Sequence, residues 1–299
     1  MRFSLILVLS YLLLSIVDKP KSITTVFQAS GALTKTSKKK LIKLCQNIAF
    51  EDAIGAHPYV RFCAEQNFNG HPPHISFQGL AQHYGFQTDM LDVTSNFDVA
   101  AFFATSKWDK KEKRYYPVGE SSFPGIIYYA EPAFYILPRE DQSATFEFVG
   151  WQPLKRPAQQ RAGAFRLPSG HCFSRLPGVR KAYFRHNRAA SERIWQYFDG
   201  GAALFPNDEA VALSEEAQDL VYFTSSQIER AWTNLEAWER RSFSDKQKKY
   251  LFRSSGLKLI AKPPLSWDKF NLESCPDKLR MRLNSELNNV RFRQVYRPA

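Results

Sequence analysis

Hydrophobic residues from position 41 onward recur at helical intervals. Leu41, Leu44 and Ile48 follow a lysine run at 38–40, and their spacing predicts an amphipathic helix. Residues 50–67 continue the pattern. We therefore expect the chain to begin its folded part with helices.

In the middle of the chain the spacing changes to that of strands. Short runs rich in β-branched and aromatic residues, bounded by Pro, Gly or polar residues, predict strands at 125–132, 144–151 and 162–168. The polar stretch before them predicts an exposed loop over 107–125. Helical spacing then returns over 189–222 and 226–242. The predicted fold class is α+β, with a small mixed or antiparallel sheet flanked by helices and a basic, mainly helical C-terminal extension.

An apolar run at the N-terminus has two interpretations. Residues 3–17 follow Arg2 and resemble the hydrophobic part of a secretory signal or an anchor, but the run is short for a membrane span. A buried helix or strand of the fold is the favoured interpretation. We expect a cytoplasmic protein, with export or membrane contact through 3–17 as the alternative.

Charge divides the chain unevenly. The 299 residues include 41 Lys and Arg against 29 Asp and Glu, and residues 225–299 hold 16 of these cations and 8 of the acids. This excess permits weak, salt-sensitive attraction to nucleic acid, nucleotides or an anionic membrane surface. With the change of pattern near residue 224, it predicts three segments: a hydrophobic segment at 1–25, a domain at 26–224 and the basic extension at 225–299.

The spacing of the cysteines indicates no metal site. The four cysteines are far apart, without a Cys-x-x-Cys pair, and suggest reduced thiols rather than a disulfide framework or a zinc site.

The most informative stretch is residues 79–105, in which polar residues precede an apolar run. Thr94, Ser95 and Asn96 offer side-chain oxygens that can cap a helix, and Asp98 would sit in its first turn. The following Val-Ala-Ala-Phe-Phe-Ala covers every helical face, which predicts a deeply buried helix. Its N-terminal end could bind an anionic group, or it could be a capped core helix without a ligand.

This stretch resembles the signature block of the FRG domain family, whose members read close to Leu-x-Gln-His-Tyr-Gly, Pro-Thr-Arg, Leu-Leu-Asp-x-Thr-x-Asn and Ala-x-x-Phe-Ala. Looser similarity is found at 156–165 and 191–208, so the resemblance spans roughly 50–220. Two arginines of the family pattern are absent: the chain has Gln87-Thr88-Asp89 for Pro-Thr-Arg, and no Phe-Arg-Gly upstream.

The resemblance implies a pocket around the Gln-His-Tyr-Gly turn and the next helix N-terminus. A distant relation to ADP-ribosyltransferase-like folds would give His83 and Tyr84 the ribose or phosphate contact and the stacking on nicotinamide. Asp92 would supply the carboxylate that stabilises the transition state, with Asp89 and Glu147 as other carboxylates. The remaining predicted ligand-binding residues are Gln82, Thr94, Asn96 and Gln160.

Two functional hypotheses stay open at this point. In the first, the protein is a ligand-binding domain directed at a nucleotide such as NAD, and an enzyme in stress or phage-defence biology if it retains transferase chemistry. In the second, it is a non-enzymatic module that contacts nucleic acid or a partner protein through residues 225–299.

Overall fold

The computed structural model describes residues 5–8, 35–67, 70–131, 135, 144–167 and 172–288. The chain forms two compact units, each assembled from separate parts of the sequence. The sheet unit comprises residues 1–27, 89–206 and 292–294, and the helical unit comprises residues 28–88, 207–291 and 295–299. The predicted segment boundaries at 25 and 224 stay a prediction.

The sheet unit is built on an antiparallel sheet with the order β6-β7-β2-β1-β5-β8. Its strands are β1 (Leu5–Val8), β2 (Met90–Thr94), β5 (Gly125–Ala130), β6 (Thr145–Glu147), β7 (Ala162–Arg166) and β8 (Arg180–Phe184). One face buries a core that includes Val93, Phe146 and Phe165. At Gly163 an added Cβ would lie 2.8 Å from the Phe146 ring, so only glycine fits this closely packed position.

Helices and a separate hairpin complete the sheet unit. The helices are α4 (Phe97–Thr105), α5 (Lys155–Gln159) and α6 (Arg188–Tyr197), with 3-10 turns at Phe173–Arg175 and Asp199–Gly201. The hairpin is formed by β3 (Ser106–Asp109) and β4 (Arg114–Pro117). The prediction of a loop over 107–125 was therefore wrong for its first half. Trp108 and Tyr115 face each other across the hairpin with ring centroids 4.8 Å apart, which stabilises it despite its polar turn.

The helical unit packs its helices around the first and longest of them. Its helices are α1 (Lys35–Ala56), α2 (Pro58–Ala64), α3 (Phe77–His83), α7 (Glu209–Gln218), α8 (Ser225–Glu239), α9 (Asp245–Ser255) and α10 (Pro276–Asn288). A parallel pair, β9 (Tyr222–Phe223) and β10 (Lys258–Leu259), lies between them in sequence. Helix α1 contacts α3, α7, α8 and α9, and its apolar positions Leu41 and Ile48 are almost fully buried, as the helical spacing predicted.

The predicted α+β class is confirmed, including the mainly helical character of the C-terminal region. Residues 5–8 of the apolar N-terminal run form strand β1 between β2 and β5, while 9–17 lie outside the described residues. Among the helices that the structure describes, none has the length and apolar character required to cross a membrane.

Candidate functional site

The Gln-His-Tyr-Gly turn ends helix α3 in the helical unit. Gly85 has a φ of +91°, a left-handed conformation that suits glycine and stops the helix. The side chains before it point inward, since His83 is 6% exposed and Tyr84 is 2% exposed. The Tyr84 hydroxyl donates a hydrogen bond to the carboxylate of Asp208, the residue that precedes helix α7. Two stretches that carry the family resemblance therefore contact each other within this unit.

Neighbouring residues of the turn also contact protein groups. The Thr88 hydroxyl donates a hydrogen bond to the side-chain oxygen of Gln82. The Phe50 ring of α1 lies 5.8 Å from the Tyr84 ring and 4.6 Å from that of Phe86, measured between centroids. The turn is thus integrated into the core of the helical unit. The catalytic roles predicted for His83 and Tyr84 stay predictions.

In the sheet unit, hydrogen bonds gather three other predicted residues where β2 leads into α4. The Thr94 hydroxyl donates to the backbone carbonyl of Gln160 at 2.7 Å and accepts from the Asn96 amide at 3.1 Å. The Gln160 side-chain amide donates to the Leu204 carbonyl at 3.0 Å. Asn96 accepts hydrogen bonds from two backbone amides of the first helical turn, which confirms the predicted cap.

Asp92 lies on the sheet face opposite the main core. The residues associated with it were not among the predicted site residues. It is exposed on β2 and pairs in register with Ala164 of β7. The Arg156 guanidinium of α5 lies 5.8 Å from the centroid of the Phe205 ring. That ring stacks on Tyr115, with centroids 5.3 Å apart and planes inclined by 18°. We call the four residues Asp92, Tyr115, Arg156 and Phe205 the Asp92 site.

The electrostatics of the Asp92 site connect its members. Burial raises the pKa of the Tyr115 phenol to about 12, and the Arg156 charge opposes this while the Asp92 charge adds to it. Both charges are therefore close enough to act on the phenol. Tyr115 stays protonated at neutral pH, so its phenol can donate a hydrogen bond. A cation, an anion and a stacked aromatic pair are thus brought together from four separate segments.

The predicted site residues divide between the two units. Gln82, His83 and Tyr84 belong to the helical unit, whereas the sheet unit contains the other four, Asp92, Thr94, Asn96 and Gln160. Sequence reasoning missed Tyr115, Arg156 and Phe205. A signal existed for two of them, because Arg156 begins the Arg-x-x-x-Gln similarity and Phe205 lies in the Leu-Phe-Pro stretch. Among the described residues no group of three or more His, Cys, Asp or Glu side chains could hold a metal ion.

At one position where the chain departs from the family pattern, the substituted residue forms an ion pair. Asp89, which stands where the pattern has arginine, pairs with the Arg166 guanidinium of β7. Both side chains are about two-fifths exposed, at 43% and 42%, so the pair contributes little to stability. A cation is thus present beside position 89, although it comes from another strand.

Comparison with known proteins agrees with the sequence resemblance. The sequence model of the FRG domain family matches residues 23–113, which include the Gln-His-Tyr-Gly turn, Asp92 and the Asn96 cap. The chain contains an FRG domain. The match ends before the looser similarities at 156–165 and 191–208, although Tyr84 and Asp208 show that the FRG segment contacts residues beyond its end. No curated protein and no solved structure matches the chain significantly.

Proposed function

We propose that this FRG-domain protein binds a nucleotide, with NAD as the leading candidate, at the Asp92 site. The observation that carries the proposal is the Arg156 guanidinium beside the Tyr115–Phe205 stack, together with the Asp92 charge that acts on the Tyr115 phenol. A nucleotide offers a matching set of groups, namely phosphates, ribose hydroxyls and a flat ring.

Each group of the ligand has a suitable contact among these residues. A guanidinium binds phosphate oxygens through charge-assisted, often bidentate hydrogen bonds, which assigns the phosphates to Arg156. Carboxylates accept hydrogen bonds from ribose hydroxyls in nucleotide-binding folds, which assigns the ribose to Asp92. Aromatic rings stack on nucleobases, so the ring system would lie against Tyr115 or Phe205. The hydrogen-bonded junction of Thr94, Asn96 and Gln160 would hold the strand that carries Asp92.

Isothermal titration calorimetry with NAD, ADP-ribose and ATP tests this proposal. We expect Arg156→Ala to weaken binding about tenfold or more, as the loss of a charge-assisted contact of about 1.5–3 kcal/mol implies. Lys155→Ala is the matched control, because it removes an exposed positive charge one residue away on the same helix. Absence of binding at millimolar nucleotide, or equal losses in both variants, would overturn the proposal.

A turnover assay separates binding from catalysis. If the protein cleaves NAD, nicotinamide is released, and Asp92→Asn should abolish the release because a carboxylate stabilises the positive charge that develops on the ribose. Nicotinamide release that persists in Asp92→Asn would exclude Asp92 as the catalytic carboxylate. Binding without any release would leave a nucleotide-binding domain that is not an enzyme.

A second function, nucleic-acid binding through the basic C-terminal region, is favoured by one face of helix α9. Lys246, Lys249, Tyr250 and Arg253 are spaced i, i+3, i+4 and i+7, and all four are exposed. Lys248 is half-buried and pairs with Glu236 at 2.9 Å. Three cations and a tyrosine on one face can contact phosphates while the phenol ring stacks on a base.

Fluorescence anisotropy with a labelled single-stranded oligonucleotide tests the second function. Lys249→Glu with Arg253→Glu should abolish binding and flatten the dependence of affinity on salt, because fewer phosphates would be neutralised. The control is Arg180→Glu with Lys181→Glu, the same charge change in the sheet unit. Equal affinity of the two double variants would argue against a role for α9.

A further inference from the structure

Strand β8 forms one edge of the six-stranded sheet. It pairs with β5 through the register that sets Tyr183 opposite Ile126, and within the described residues no strand lies on its other side. The outward backbone N–H and C=O groups of such a strand can receive a further strand. At its end the Phe184 ring packs over Gly125, where an added Cβ would lie 2.1 Å from the ring.

The side chains of β8 are exposed on both faces of the sheet. Residues 180–183 are all exposed, and Tyr183 retains 63% of its accessible surface. Because side chains alternate along a strand, Arg180 and Lys181 lie on opposite faces, and Arg185 follows directly after the strand. In the part of the chain that the structure describes, none of these three cations forms an ion pair.

This arrangement favours a partner of opposite charge. Charged side chains on an edge strand disfavour pairing with a second copy of the same strand, since like charges would then lie side by side. The same cations attract a strand that carries acids towards both faces. A nucleic-acid backbone follows a single line of phosphates and would use the cations of one face only.

We propose that the outer edge of β8 is a docking site for an acidic, extended segment of a partner protein, which adds to the sheet as a strand. Backbone hydrogen bonds to β8 would hold the segment. Its acidic side chains would reach Arg180 on one face, and Lys181 on the other. This inference concerns a different surface from the Asp92 site and does not depend on nucleotide binding.

The experiment uses the full chain and a fluorescein-labelled peptide with the sequence Thr-Glu-Val-Glu-Glu-Val-Glu-Thr, which directs glutamates to both faces. We expect saturable binding by fluorescence anisotropy. Arg180→Glu with Lys181→Glu should weaken it at least tenfold, while Lys110→Glu with Lys111→Glu, the same charge change at two exposed residues of the turn between β3 and β4, should leave it nearly unchanged. Circular dichroism would verify that both double variants are folded.

Two modified peptides test the mode of binding. A peptide with N-methylated amides on alternate residues keeps its charges but cannot form the strand hydrogen bonds, and we expect it not to bind. A peptide with glutamine for glutamate keeps the backbone and should bind at least tenfold more weakly. Equal losses in the two double variants, full binding by the N-methylated peptide, or displacement by a single-stranded oligonucleotide at lower concentration than by unlabelled peptide would each overturn the proposal.

Discussion

Replacing Thr94 by valine tests whether this buried residue stabilises the junction of β2 and α4. Thr94 is 6% exposed, and its hydroxyl connects the Gln160 carbonyl, at 2.7 Å, to the Asn96 amide, at 3.1 Å. Valine keeps the branched shape but replaces the hydroxyl by a methyl group. Both hydrogen bonds are then lost, and the backbone groups that took part in them remain.

The expected loss of stability depends on whether water can replace the hydrogen bonds that the two backbone groups lose. The loss of a hydrogen bond at a buried carbonyl costs about 1–3 kcal/mol, and Gln160 is only 6% exposed. Asn96 is half-buried, so water can replace part of its lost bond. The extra methyl group recovers up to about 0.8 kcal/mol. We therefore expect Thr94→Val to lower the free energy of unfolding by about 1–2 kcal/mol.

Urea unfolding followed by circular dichroism measures this change. With a slope of about 2 kcal/mol per molar urea, the midpoint should fall by roughly 0.5–1 M. Thr145→Val is the matched control, because Thr145 is exposed on β6. Its free energy of unfolding should change by less than about 0.5 kcal/mol, which is a midpoint shift of less than about 0.25 M. The reasoning is refuted if Thr94→Val costs no more than Thr145→Val.

Three further predictions concern packing, thiol reactivity and pH. Gly163→Ala should destabilise the protein by about 1–3 kcal/mol in the same urea assay, because the new Cβ would lie 2.8 Å from the ring of Phe146. Burial raises the pKa of both Cys45 and Cys63 to about 12. Iodoacetamide at pH 8 should therefore modify the exposed Cys172 and Cys275 first. Mass spectrometry should find Cys45 and Cys63 modified only in urea. Burial lowers the pKa of His57 from 6.5 to about 4, so stability present above pH 6.5 should be lost as the pH falls towards 4, by about 3 kcal/mol in total. The His57 side chain caps helix α2 by accepting a hydrogen bond from the Tyr59 amide at 3.1 Å. His57→Asn, which retains a capping side chain, should lose less stability between pH 7 and pH 5 than the parent protein.

Local chemistry explains what the sequence predicted well. The cap of α4 depends on residues within three positions of one another, and Asn96 forms it as expected. Two of the predicted strands match β5 and β7 closely, because both are apolar and end at Pro, Gly or polar residues. The spacing of Leu41 and Ile48 likewise located the longest helix.

The missed elements are those whose burial depends on distant residues. The hairpin of β3 and β4 has a turn rich in charged residues, and only the cross-strand pair of Trp108 and Tyr115 indicates strands there. Strand β8 has side chains exposed on both faces, so it lacks the alternation of apolar and polar residues that reveals a half-buried strand. The Asp92 site combines side chains from four segments, and no local pattern reports their proximity.

The division of the FRG signature between the two units changes how its residues are best interpreted. Tyr84, Thr94 and Gln160 each make hydrogen bonds inside one unit, so their chemical character is already needed to join segments of the fold. Asp92 is an exposed carboxylate on a strand beside the buried residues Met90, Ala162 and Ala164. An exposed carboxylate can contact a ligand without any change in the core. Mutations at Thr94 and Gln160 should therefore act first on stability, whereas Asp92→Asn, which keeps the size of an exposed side chain, should act first on binding.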